Sequence, residues 1–425
     1  MTEPAPGRVH VVGAGLAGLA TAVHLVGRGV PVTIHEAAGH AGGRCRSFYD
    51  NRLDCLIDNG NHLIMAGNKA TFAYLDAIGA RRHLVAKAPA AFPFVDLASG
   101  ERWCVRPNRG RLPWWPLVPA RRVGGTRALD YLQAIRLPFA GRQATVAEVL
   151  GEPAHLFERL WNPLATAALN TAPEEGAARL LWPVVAQTFL RGEAACRPYV
   201  ADQGLSPAFV DPALKRLADN GATVTFNRRV RALDRADGRV HGLICSGGPI
   251  SLDPADQVIL AVPPAGAKAL IADLVVPEES RAIVNAHYGL DHPPRLPGGS
   301  RFLGLIGGTA HWLFARDSVV SVTVSAADQL ADRDNTAIAE ILWADVARAL
   351  DLPARPRPPS TVINERRATF AQTPANLAAR PGAATAWANL FLAGDWTDTG
   401  LPATIESAIH SGRAAADLAN SRRRA

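Results

Sequence analysis

Arg8-Val9-His10-Val11-Val12-Gly13-Ala14-Gly15-Leu16-Ala17-Gly18 runs a short apolar segment straight into three glycines. Arg8 to Val12 reads as a buried strand. Beyond the glycines, Leu16, Leu19, Val23 and Val26 recur at helical spacing, and Arg28-Gly29 closes that helix. Val32-Thr33-Ile34-His35 is a second strand, ending at Glu36. A Gly-x-Gly-x-x-Gly turn between strand and helix is the setting in which a chain binds a dinucleotide. Gly13 permits the tight turn, Gly15 lets backbone approach a pyrophosphate, and Gly18 lets the helix pack on the strand. Together with Ala14, Leu16 and Ala17 they form a loop whose N–H groups, aided by the helix dipole, face the phosphates. Glu36, followed by Ala37, stands where a carboxylate accepts both ribose hydroxyls and repels a 2′-phosphate, which disfavours NADP. The glycines alone say little; the flanking strands and Glu36 give them weight.

Two further segments extend the site. Gly42-Gly43-Arg44 follows directly, with Ser47 three residues on, and Arg44 presents a planar fork suited to phosphate. The plain alternative is a glycine turn with a surface arginine. Near the other end, Phe391-Leu392-Ala393-Gly394-Asp395 reads as a buried strand ending in Gly-Asp, followed by Gly400-Leu401-Pro402-Ala403-Thr404. A helix is expected from Pro402 to Asn420, with proline in its first turn, where a missing N–H costs nothing. In this order the segments resemble the flavin amine-oxidase and phytoene-desaturase superfamily. The resemblance implies FAD, with Asp395 on the ribityl hydroxyls and the last helix start near the negative charge of reduced flavin. It also draws in Gly394, Leu401, Pro402, Ala403 and Thr404, the turn Asn59-Gly60-Asn61, and Val230 at the head of a hairpin-like stretch that runs to Ile250.

The bulk composition agrees with an enzyme of this size. A chain of 425 residues suits two domains, and 48% hydrophobic with 20% charged residues is ordinary globular composition. The net charge of +7 suits nucleic acid or an anionic surface, but no basic, aromatic-interleaved nucleic-acid motif accompanies it, so no nucleic-acid partner is expected. Five scattered cysteines point to a reducing cytoplasm and, lacking knuckle spacing, to no metal. His10 to Gly27 is free of Asp, Glu, Lys and Arg, yet its glycines and histidines mark it as the strand and helix above, not a membrane span. Between about Ala80 and Leu205 prolines and tryptophans multiply and helical stretches such as Ala154 to Ala168 dominate. Later come strands at Thr223–Phe226, Gln257–Val262 and within Ser300–Ser325, a helix over Asn335–Leu350, and a last strand at Ala388–Ala393.

The expected fold is α/β with α+β elements: a discontinuous Rossmann-like FAD-binding domain (1–79, 205–265, 387–425) into which a substrate-binding domain (80–204, 266–386) is inserted twice, amine-oxidase-like.

A closer resemblance rests on Asp58-Asn59-Gly60-Asn61-His62, Trp161-Asn162-Pro163-Leu164-Ala165, Ala168-Leu169-Asn170-Thr171-Ala172-Pro173-Glu174, His311-Trp312-Leu313-Phe314, Arg366-Arg367-Ala368-Thr369-Phe370 and Gly394-Asp395-Trp396-Thr397. These segments look like the squalene-associated FAD-dependent desaturases, the hydroxysqualene dehydroxylases of bacterial squalene and hopanoid synthesis. The likeness spans nearly the whole chain and is weakest between Ala80 and Arg142. Glutamine is usual in that family where Asn61 stands. The resemblance implies replacement of an allylic C–OH of hydroxysqualene by C–H at the expense of reduced FAD. His62, in the turn expected beside the flavin, is the candidate acid; the plainer reading is a hydrogen bond to flavin or backbone. Trp161, Leu169, Asn170 and Trp312 are candidate substrate contacts, although buried tryptophan needs no ligand to explain it. His287, His311 and Tyr288 read as core or pocket residues, and Glu365 and Arg366 as a pair. A carotenoid-type desaturase, an amine oxidase and a prenyl-lipid carrier remain open on the same fold. Leu112-Pro113-Trp114-Trp115-Pro116-Leu117, set between Arg106, Arg109, Arg111 and Arg121, Arg122, is a candidate peripheral contact with the inner face of the cell membrane.

Overall fold

A computed structural model describes residues 7–424. The expected outer segments reach residues 1–6 and 425, which lie outside the described residues. Five parallel strands form the first sheet, in the order Thr223–Thr225, Val32–His35, Val9–Val12, Gln257–Leu260, Leu390–Leu392. Val9–Val12 is buried along its whole length, which suits the central strand of a sheet covered on both faces. Helix Leu16–Val26 packs on that sheet beside the last helix, Ile405–Arg424. Their close approach depends on Gly412, where a Cβ would fall 2.3 Å from the Ala17 carbonyl oxygen; the Thr21 hydroxyl bonds the Gly412 carbonyl at 3.0 Å.

The second sheet has seven strands, ordered Ser360–Phe370, Ser280–Gly289, Val319–Val324, Trp312–Arg316, Phe302–Ile306, Phe92–Asp96, Arg102–Val105. Its second and third strands, Ser280–Gly289 and Val319–Val324, are two-faced. Val320, Val322 and Val324 with Val284, Ala286 and Tyr288 form an apolar face, covered by helix Asn335–Leu350 through Ile338, Leu342, Trp343 and Val346. Each of the valine, leucine and isoleucine side chains contributes about 1.5–3 kcal/mol by leaving water. Ser321 and Thr323, in register with His287 and Asn285, form the opposite, polar face. That face turns toward the dinucleotide-type sheet and carries the site.

Several local expectations change. The Ala80–Leu205 stretch is not only helical: strands Leu84–Ala86, Phe92–Asp96, Arg102–Val105 and Pro198–Ala201 run through it. Phe92–Asp96 and Arg102–Val105 form a local antiparallel hairpin, while the other pairings are long-range, as between Phe94 and Gly304, and no local pattern announces those. The last helix begins at Ile405, so Pro402 lies in the loop before it, not in its first turn. Arg366 pairs with Asp332 at 2.7 Å and not with Glu365, because neighbours on a strand point to opposite faces. Among the described residues no helix is long and apolar enough to cross a membrane.

Candidate active site

The three glycines of the first turn have three different surroundings. Gly13 has φ +106° and stands where a Cβ would meet the Ala261 carbonyl oxygen at 2.6 Å; at Gly18 a Cβ would lie 2.0 Å from the Gly13 oxygen. Both are packed shut. A Cβ on Gly15 would meet nothing within 4 Å. The turn Gly42-Gly43 lies beside it, with the Gly42 N–H donating to Ala14 O at 2.8 Å and Gly43 facing the Gly15 Cα. Bare backbone on two sides of an open space is the shape a pyrophosphate requires. Glu36 is held for its part: its carboxylate accepts the Ala14 N–H at 2.6 Å and the Ala38 N–H at 2.8 Å. Each oxygen keeps a lone pair for a ribose hydroxyl. Val230 opens the antiparallel strand Val230–Ala236 and packs in a cluster with Val12.

Arg44 and Asp395, separated by 351 positions, meet at 2.8 Å, and Arg44 also donates to the Ala368 carbonyl. Asp395 is buried, and its charge raises the Arg44 guanidinium further above its usual range. The two residues assigned separately to phosphate and ribityl hydroxyls thus join the two ends of the chain at one point. Gly394, at φ +151°, holds the turn, and its N–H donates to the Ser411 hydroxyl at 2.9 Å. The loop after it is caged by Arg380, whose buried guanidinium donates to the carbonyls of Thr397 and Leu401 and to the Thr399 hydroxyl. Gln372, fully buried, ties this loop to the substrate side: its amide accepts Ala403 N–H at 2.8 Å and donates to Leu169 O at 2.5 Å.

The Asn59-Gly60-Asn61-His62 turn lies against the polar sheet face. Asn285 donates to Asn59 O at 3.2 Å, Thr323 donates to Asn285 at 2.7 Å, and Asn61 donates to Thr323 at 3.0 Å. The short Asn61 amide therefore has a partner within reach. Preceding the turn, Asp58 accepts from Ser47 at 2.5 Å and from Arg316 at 2.6 Å. His62 lines a pocket with Asp58, Asn61, Leu205, Phe314 and Arg316. As a residue His62 is exposed, opening into that pocket. Loss of bulk hydration lowers it to about 4, with Asp58 opposing and Arg44 reinforcing the shift. The neutral imidazole is the resting form at pH 7. His287 and His311 are lowered to about 4 by burial as well; His287 is bonded to the Ser321 hydroxyl at 2.7 Å, and His311 accepts Ser325 N–H.

Of the four candidate substrate contacts, Trp161, Leu169 and Trp312 are buried in one cluster with Phe92, Phe94 and Phe302. Asn170 has another task. It caps its helix at φ +46°, and its amide donates to Arg281 O and Thr369 Oγ1 and accepts Ala326 N–H. Both its donors are spent on the fold. Tyr288 is fully buried with its hydroxyl on Ala339 O. Sequence reading passed over Asn285, Thr323, Gln372 and Arg380. Asn285 and His287 carried a signal, polar residues two apart in an apolar strand; Gln372 and Arg380 carried none.

This double-glycine cradle, anchored glutamate and Arg44–Asp395 junction fit a flavin dinucleotide. The model for the flavin containing amine oxidoreductases matches residues 16–420, and the chain belongs to that family. Its cofactor is FAD. A putrescine oxidase structure superposes with a TM-score of 0.72 at 16% identity, covering 97% of this chain and 98% of that one, a likeness of fold. Within the family the chain belongs with the hydroxysqualene dehydroxylases: proteins of that name from Sinorhizobium fredii and Rhodopseudomonas palustris are each 45% identical to it. The first match covers 97% of this chain and 98% of its relative, the second 96% and 97%.

Proposed function

We propose that the protein converts hydroxysqualene to squalene, exchanging an allylic hydroxyl for hydrogen. The observation that carries this reading is the likeness, over nearly the whole length, to proteins named for that reaction. Bound FAD, in its reduced form, supplies the hydride. The chain's own residues do the rest. Gly15 and Gly43 admit the pyrophosphate, Glu36 holds the ribose, and Arg44 with Asp395 fixes the middle of the cofactor. The C–O bond breaks with its electron pair on oxygen, and a proton converts the departing hydroxide to water. Water must otherwise stay out, or the allylic cation returns to alcohol. The apolar cluster around Trp161, Leu169 and Trp312 supports that exclusion. His62 is the titratable ring exposed to the pocket, and as a neutral imidazole it passes its N–H proton to the leaving hydroxyl while its other ring nitrogen takes up a proton from solvent, so the ring ends neutral. A desaturase on this scaffold runs the opposite redox direction. We also propose that the protein works at a membrane surface, since its substrate and product dissolve in lipid.

Reduction in heavy water before hydroxysqualene is added tests the hydride source. Deuterium is expected in the new C–H bond where solvent exchange is slower than transfer. Product formed at full rate with no label, from a cofactor shown to retain deuterium, would refute it.

A further inference from the structure

Seven of the thirteen exposed large hydrophobic side chains among the described residues lie between positions 112 and 139. Four belong to the 3-10 helix Ala128–Phe139. With three residues per turn, Leu129, Leu132 and Ile135 recur along one edge. They are 73%, 53% and 61% exposed, and Phe139 at the end is 83% exposed. The inner side of the same helix is fixed to the core. Tyr131 packs edge-on against Trp115 at 5.0 Å, and its hydroxyl accepts the Val123 N–H. Gln133, with its amide turned to satisfy both ends, accepts the Trp161 indole N–H at 2.8 Å. Trp115 itself is buried, which removes it from the sequence-expected membrane patch and leaves Leu112, Trp114 and Leu117 outward.

Charge singles out the same segment. Residues 106–142 hold eight arginines against one acid, Asp130, a formal +7 equal to that of the whole chain. The carboxylate of Asp130 accepts the Arg127 N–H at 2.7 Å, spending the lone acid locally. Arg106, Arg109, Arg111, Arg127, Arg136 and Arg142 are exposed, and Arg121 lies over the Trp114 ring. An apolar edge this long in water, rimmed by cations, is a surface awaiting a partner.

We propose that helix Ala128–Phe139 lies in the surface of an anionic bilayer, Leu129, Leu132, Ile135 and Phe139 among the acyl chains and the arginines on the headgroup phosphates. This rests on the membrane-surface reading above and names the element that inserts. An apolar edge under a cationic rim is how a helix settles in the interfacial plane, and a basic segment is drawn to anionic leaflets. The bond from Gln133 to Trp161 sets the inserted helix directly against the buried apolar cluster of the substrate side.

FAD-loaded protein is sedimented with vesicles of phosphatidylcholine alone, or of phosphatidylcholine and phosphatidylglycerol in equal parts. The unaltered protein should pellet with the anionic vesicles and be released by salt. Leu129→Ser, Leu132→Ser and Ile135→Ser together should weaken binding about tenfold or more while the flavin spectrum is kept. Phe139→Ser, which removes no buried contact, should weaken it alone if the triple variant proves unstable. Arg127→Gln, Arg136→Gln and Arg142→Gln should abolish the preference for anionic vesicles. If the unaltered protein binds no vesicle, the membrane-surface reading and this proposal fall together. If it binds and the serine variants bind equally, only the helix is wrong. If it ignores vesicles but self-associates through the same side chains, the edge is a protein interface and the proposal is overturned.

Discussion

Gly15 and Gly18 both lack a side chain, for opposite reasons. A Cβ has room at Gly15 and none at Gly18. Gly15→Val should therefore give a folded, colourless protein, its side chain occupying phosphate space. Gly18→Val should fail to fold, because its Cβ meets backbone. Absorbance near the flavin bands together with a thermal melt separates the two, and a yellow Gly15→Val protein would move the phosphate site elsewhere. The glycines and Glu36 were legible because their spacing is local. Arg380 and Gln372 were not, since their worth lies in carbonyls and amides that only the folded loop gathers. His62 yields a pH test. A proton donor lowered to about 4 would make turnover fall tenfold per pH unit above that value. We expect turnover with no slope from His62 between about pH 5 and 8, its neutral N–H acting throughout. His62→Ala should slow turnover without releasing FAD.

At the scale of elements, the last helix secures an early one. The buried Glu406 carboxylate accepts Ala70 N–H, Thr71 N–H and the Thr71 hydroxyl at 2.7–2.9 Å, receiving the start of helix Lys69–Ala77. Glu406→Gln removes the charge and one acceptor, and should cost about 2 kcal/mol, measured by denaturant unfolding. An unchanged midpoint would show that water replaces the carboxylate. Gln372→Leu should strip both Ala403 and Leu169 of partners, loosening the 401–404 loop and weakening FAD retention more than global stability. Elements with a strong local period were readable: the expected helix over Asn335–Leu350 has those bounds in the structure. Phe92–Asp96 was not, because Pro93 interrupts it and its parallel partner lies some two hundred residues away.

For the whole molecule, burial of neutral histidines sets an acid limit. His35 and His287 are each 1% exposed and lowered by burial to about 4, against an ordinary 6.5. Below 6.5 the unfolded chain takes up protons that the folded one refuses. Stability is therefore full above that value and lost as pH falls toward 4, by up to roughly 3 kcal/mol per residue. His287→Gln should flatten the slope of stability against pH across that window; an unaltered slope would place the acid sensitivity elsewhere. The dinucleotide-type fold was expected from glycine turns at both ends of the chain, whereas the polar face of the seven-stranded sheet that supports the site needed strand register to be seen. The central claim is the direction of electron flow. Protein photoreduced without air should regain the yellow absorbance of oxidised FAD when hydroxysqualene is added, with squalene formed in matching amount. Flavin that stays reduced with hydroxysqualene, yet is reduced from its oxidised form by squalene or a carotenoid precursor, would contradict the account.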